Sequence, residues 1–242
     1  MEILTKQIET NQITRRLTNQ FILDEDYNVP DSKLDIQKIV LSEGNAKVEE
    51  VKVVENYLRV QGCVEFRILY MAEGFEPTFS CLEGKLPFVE MIYTDGGNGE
   101  ALEIQSLRVE LNAHAIHSRK VRVKAMIEVG MQEVKQSVEE IPVDVEGECE
   151  ILKKQTPVEL LHLLVSKKDM YRIKEELLLP GTKETIGRML WTDVSNRKLE
   201  TRLSADELQI SGELLVFCFY ESPDGKIDWI EQSVPYQGRV DC

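Results

Sequence analysis

The side chains able to do chemistry are few, and their spacing does not bring them together. His114 and His117 form the only histidine pair, and two histidines three apart on a strand project to opposite faces, which argues against a shared metal. His162 lies in an apolar run, where a packed histidine is expected. The five cysteines, Cys63, Cys81, Cys149, Cys218 and Cys242, contain no C-x-x-C pair. That pattern fits reduced thiols better than a disulfide framework or a zinc site, and Cys242 stands apart only as a terminal thiol open to cross-linking under oxidising conditions. Carboxylates run together at 24–26, 49–50 and 139–140, as solvated surface does in an acidic chain. There is no G-x-S-x-G, no cysteine sits in a nucleophile motif, and the G-G-N-G at 96–99 lacks the lysine and helix of a phosphate-binding loop. No catalytic, metal or cofactor residue is assigned, and the chain reads as a non-enzyme.

Length and composition bound what the chain builds. Its 242 residues allow one large domain or two small ones. A hydrophobic share of 42% with 30% charged residues is that of a folded globular protein. With 29 basic against 43 acidic residues the net charge is −14, which repels nucleic acid and anionic membrane over most of the surface. No segment has the apolar length of a signal peptide core or a membrane-spanning helix, so neither secretion by that route nor membrane insertion is expected.

An internal repeat organises the sequence. Residues 29–40, V-P-D-S-K-L-D-I-Q-K-I-V, align with 179–190, L-P-G-T-K-E-T-I-G-R-M-L, so that Pro30 meets Pro180, Lys33 meets Lys183 and Ile36 meets Ile186. The register persists without a gap, matching Leu58 with Leu208, Gly62 with Gly212 and Tyr70 with Tyr220. After a short length change, Leu86-Pro87-Phe88 meets Val234-Pro235-Tyr236. The expected organisation is two related modules, 1–147 and 148–242, with the boundary at the V-E-G-E of 145–148. The first copy continues through 95–146 and the second stops at Cys242. The repeat thus predicts a piece of a longer protein whose second module lacks its last hairpin.

Most of each module reads as strand. Leu58, Val60, Val64, Phe66, Ile68 and Tyr70 alternate with Arg59, Gln61, Glu65 and Arg67, the pattern of a half-buried strand. Its counterpart, with the apolar run 214–219 on both faces, predicts a strand that is more central in its sheet or covered by another element. Alternating runs at 107–115 and 121–129 flank the polar turn 117–120 and predict an antiparallel hairpin, and a second hairpin turns at Glu55-Asn56. Residues 8–20 and 158–170, aligned by the repeat, are both read as strand. One exception follows each motif proline. Ile36, Ile39 and Val40, and Ile186, Met189 and Leu190, fall at i, i+3, i+4 and predict one short helix per module, with Asp31, Ser32 or Thr182 as cap. The fold class is all-β, mainly antiparallel, with that one short helix in each module.

Residues 26–39, D-Y-N-V-P-D-S-K-L-D-I-Q-K-I, together with R-I-L-Y at 67–70 and L-P-F at 86–88, resemble the SPOCS domain, a repeated module of spore coat morphogenetic proteins in endospore-forming Firmicutes. Val29, Pro30, Asp31, Lys33, Asp35 and Ile36 match the family pattern V-P-D-x-K-P-D-I, with Leu34 in place of its second proline. The second copy keeps Pro180, Lys183 and Ile186. The resemblance implies a scaffold of spore coat assembly in the mother-cell cytoplasm, at the forespore surface. Its implied partners are spore coat proteins, including the coat basement-layer ATPase SpoIVA, with self-association open.

Two other readings compete. A carbohydrate- or cell-envelope-binding β module would need exposed aromatic side chains, for which Tyr57, Tyr93, Trp191 and Trp229 are candidates; a hydrolase would need convergent carboxylates. Exposed strand edges are the natural contact surface under the scaffold reading.

Overall fold

The structure is a computed structural model that describes residues 2–74, 76, 78–94, 102–147, 152, 154, 156, 157, 159, 170–204 and 207–241. Among the described residues nine strands run in chain order: β1 (Glu2–Asn28), β2 (Ile36–Val54), β3 (Tyr57–Ala72), β4 (Thr78–Tyr93), β5 (Leu102–His117), β6 (Lys120–Glu146), β7 (Arg188–Leu203), β8 (Glu207–Glu221) and β9 (Ile227–Asp241). They form three antiparallel three-stranded sheets, ordered β1-β6-β5, β2-β3-β4 and β7-β8-β9. Among the described residues no helix is long and apolar enough to cross a membrane.

The first two sheets enclose the main core. Leu58, Val60, Val64, Phe66, Ile68 and Tyr70 of β3 meet Val121, Val123, Ala125, Ile127 and Val129 of β6, all essentially fully buried. The period-two runs of the sequence are therefore the two facing halves of one core. Tyr27 sets its ring edge-on to Phe66 at 5.1 Å and Phe21 leans on Phe88 at 5.2 Å, tying β1 to the opposite sheet. Beyond the third strand, β1 and β6 continue as a two-stranded ribbon, pairing from Ile13↔Val134 out to Glu2↔Glu146.

The short helix expected in each module is absent, since Ile36 and Ile39 are strand residues paired with Ala72 and Tyr70. The helical spacing has a different origin. Register shifts between Ile36 and Lys38, and between Ile39 and Leu41, each insert an unpaired residue, and a bulge of this kind returns the chain to the same face after three positions instead of two. The second module repeats the device, with Met189 paired to Tyr220 and a shift before Trp191; Ile186 lies just before β7, outside any strand. The expected caps sit in a turn, closed by Lys33 N–H donating to the Pro30 carbonyl at 2.9 Å and by Lys183 N–H donating to Pro180 at 2.9 Å.

The repeat extends to atomic detail. Tyr70 donates to the Leu34 carbonyl at 2.9 Å and Tyr220 to the Glu184 carbonyl at 3.0 Å. Gly62 lies opposite Phe88, and Gly212 opposite Tyr236. A Cβ on Gly62 would sit 2.1 Å from the Lys47 carbonyl oxygen and 2.8 Å from the Phe88 ring, and one on Gly212 2.6 Å from the Tyr236 hydroxyl. Each glycine leaves the space that the neighbouring aromatic ring fills.

Both hairpins read from the sequence are present, turning at Ser118-Arg119 and Glu55-Asn56. Residues 8–20 belong to β1. The strand expected at 158–170 falls almost wholly outside the described residues, as do His162, the G-G-N-G of 96–99, Cys149 and Cys242. The third sheet touches the second through Leu69, Phe79 and Cys81 on one side and Leu190, Trp191, Phe217, Phe219 and Ile227 on the other. Arg188 there donates to the Phe79 carbonyl at 3.0 Å, and the Arg67 guanidinium lies 4.4 Å from the centre of the Trp191 ring.

Candidate functional site

The motif of the first module forms the loop between β1 and β2, and the tip of the β5–β6 hairpin closes on it. Val29 N–H donates to the Arg119 carbonyl at 2.9 Å and Ile36 N–H to the Ser118 carbonyl at 2.8 Å, so the loop is hydrogen-bonded to the hairpin at both ends. The Arg119 guanidinium fills the space between them. It donates to the carbonyls of Lys33 at 2.7 Å, Pro30 at 3.0 Å and Val29 at 3.2 Å, and to the carboxylates of Asp35 at 3.0 Å and Asp31 at 3.2 Å. Ser118 Oγ donates to the other Asp35 oxygen at 3.0 Å. A planar fork of five donors serves more acceptors, over a wider span, than the three donors of an ammonium group.

Val29 and Ile36 are buried at the two ends of this loop. The motif residues thus make a clasp, with Pro30 setting the turn, Asp31 and Asp35 holding the guanidinium, and Lys33 contributing its backbone. Arg119 was invisible as a functional residue in the sequence because it belongs to a polar turn 84 positions beyond Asp35. Only the pairing of β6 with β1 brings it to the motif.

A ladder of charge continues from the clasp along β1 and β6. Asp26 accepts from Arg122 at 2.9 Å and pairs with Lys120 at 2.9 Å, and hydrogen bonds from Arg122 and then Lys120 hold its carboxyl down at about 2. On the outer face of β3, Glu65 is likewise held at about 2, by Lys47 and then Lys85.

The second motif is differently served. Lys183 turns its ammonium to Asp228 at 2.7 Å and lies 5.0 Å from the centre of the Trp229 ring. Pro180 is exposed as Pro30 is, but Ile186 is 38% exposed where Ile36 is 3% exposed. No hairpin closes on this loop among the described residues.

Of the four candidate aromatics, Trp191 is buried in the contact between sheets, whereas Trp229 is 51% exposed. Tyr57 and Tyr93 are direct cross-strand partners with rings 5.3 Å apart. With Val89 and Met91 they leave an exposed apolar patch at one end of β4.

Among the described residues no group of histidine, cysteine and carboxylate side chains is placed to hold a metal. His114 and His117 are exposed, and His117 Nδ1 accepts from the Arg119 backbone N–H at 3.2 Å. Cys63, Cys81 and Cys218 are free thiols, and desolvation pushes each thiol upward, away from the reactive thiolate.

A family model described as "SipL, SPOCS domain" matches residues 35–117. The match begins inside the motif at Asp35 and ends at His117, so it takes in the strands from β2 to β5. Neither the curated proteins nor the solved structures compared with the chain gave a match.

Proposed function

On the premise that this chain belongs, through residues 35–117, to the SPOCS-domain family, which is related to sporulation, we propose that it is a non-enzymatic structural and interaction protein of endospore coat assembly. It acts in the mother-cell cytoplasm at the forespore surface, and its partners are coat proteins, the basement-layer ATPase SpoIVA among them. The observation that carries this reading is the apolar patch of Tyr57, Val89, Met91 and Tyr93, which lies inside the family segment and is left uncovered by the third sheet. Exposed apolar area of this kind on a folded module is a contact surface. The two modules, 1–147 and 148–242, give the scaffold two related surfaces on one chain.

The test is purification of the chain with its bound proteins from a sporulating lysate. The expected result is co-purification of coat proteins, lost in the Met91→Asp and Tyr93→Asp variants. The Tyr57–Tyr93 pair also favours a second reading, a carbohydrate- or cell-envelope-binding module, because paired rings on a sheet suit sugar faces. Binding to soluble glycans by a monomer that captures no coat protein would decide for that reading.

A further inference from the structure

The ribbon that β1 and β6 form beyond β5 presents an edge. β5 lies beside β6 only as far as the pair Leu102↔Glu133, while β1 accompanies β6 on its other side out to Glu146. Among the described residues no strand pairs with 134–146 on the β5 side. Two strands alone make a marginal sheet, and an unpaired edge offers its backbone groups to another strand.

Which groups the edge presents follows from the ladder. The carbonyls of Glu133 and Ser137 face β1, since the hydroxyls of Thr14 and Thr10 donate to them, each at 3.4 Å. Ladder groups alternate between the two sides of a strand. The backbone groups of 134, 136, 138 and 140 therefore face the open edge. Pro142 faces it too, where its lack of an N–H costs β1 nothing. Val143 is left over in a bulge between Thr5↔Pro142 and Leu4↔Asp144. The usable edge thus runs from 134 to 140, bounded by β5 at one end and by Pro142 and the bulge at the other.

This stretch is complementary to itself. In an antiparallel pairing of two copies about Ser137, Lys135 of each lies opposite Glu139 of the other. Both side chains are exposed, and neither has an ion pair among the described residues. Glu140 falls opposite Val134 and keeps the hydrogen bond it accepts from Gln7 at 3.2 Å. Glu133 lies outside the paired window, diagonal to Glu139 of the other copy and cross-strand to Arg15, while Lys6 and Glu9 stand one strand further away on β1. Val138, 62% exposed, falls diagonal to Val134 and Val138 of the other copy, on the face that also carries Ile13. The neighbouring registers are worse. An axis at 136 sets Glu133 opposite Glu139, one at 139 sets Glu139 opposite itself, and one at 138 leaves Lys135 opposite Ile141 and Val134 opposite Pro142.

We propose that residues 134–140 of β6 pair with the same residues of a second copy of this chain, joining two β1-β6-β5 sheets edge to edge about a two-fold axis at Ser137. Each copy contributes the same surface, so the contact closes as a dimer. It uses a different strand from the Tyr57–Tyr93 patch and does not depend on the scaffold reading.

Light scattering on the full chain over a concentration series tests this, and the expected mass is that of a dimer. Lys135→Glu and Glu139→Lys each replace two opposite-charge pairs by two like-charge pairs, and each should weaken dimerisation at least about fivefold. An equimolar mixture of the two variants should recover it, because every pair in the mixed dimer is again of opposite charge. Val138→Pro removes an N–H that faces the edge and not β1, so it should abolish the dimer with the circular dichroism spectrum unchanged. Met91→Asp should leave the dimer intact, which separates this contact from the one on β4. A chain that stays monomeric throughout the series, a dimer indifferent to both charge variants, or a mixture that recovers nothing would each overturn the inference.

Discussion

The second and third sheets have the same strand order, the same bulge before Leu41 and Trp191, the same motif turn and the same tyrosine hydrogen bond to it, but one is buried and the other is open. In the first module the clasp around Arg119 docks the β5–β6 hairpin, and that hairpin seals β3. In the third sheet, equivalent side chains of β8 keep part of their surface exposed. The motif turn of the third sheet therefore forms with no hairpin against it among the described residues. What the hairpin adds is burial, and burial is where most of the stabilising free energy of a sheet resides.

This contrast breaks most readily at aligned core positions. Leu58→Ala should cost about 3 kcal/mol, because it empties a sealed site, and Leu208→Ala only about 1 kcal/mol, because its site is already half-open. Urea unfolding measures both. Far-ultraviolet circular dichroism reports the whole chain, while fluorescence reports the third sheet, which holds both tryptophans. Equal effects would mean that the two cores are equally closed.

Arg119→Ala tests the clasp itself. A loss of about 2 kcal/mol is expected, chiefly from loop carbonyls left without a donor, since the ion pairs are partly solvated. Arg119→Lys should recover less than half of it, because an ammonium cannot span the same acceptors. Removing the tyrosine hydroxyls sharpens the comparison at the shared turn, where Tyr70→Phe and Tyr220→Phe should each cost about 1 kcal/mol. A much smaller effect at Tyr220 would show that the open module holds its turn by other means.

The smallest effect concerns acid. Glu65 is held at about 2 against an ordinary 4.5, so the stability it contributes is present above pH 4.5 and is lost as the pH falls toward 2. Glu65→Gln should flatten that part of the stability–pH curve, while the matching Asp26 limb, running from 3.8 down to about 2, persists. Thermal unfolding at stepped pH reads both.

Much of this architecture was legible in the residues. The alternation at 58–70 and at 121–129 identified two strands whose apolar faces turn out to meet, and the repeat located the matching turn, glycine and tyrosine of the third sheet. The misreading at Ile36 and Ile39 has a definite cause. A β-bulge and a helical turn both return a side chain to the same face after three residues, so periodicity alone cannot separate them. The site was legible only in halves. The motif residues stand together in the sequence, but the guanidinium that binds them lies on another hairpin.

What the sequence determined by itself was local and periodic: strands, turns, the duplicated register and the acidic character. These follow from side-chain alternation, from the backbone limits of proline and glycine, and from composition, all of which act over a few residues. Tertiary structure alone decided which hairpin closes which motif and which copy of the sheet is sealed. Strand pairing joins residues far apart in the chain, and burial depends on what lies across the sheet, so neither is written at the positions it affects.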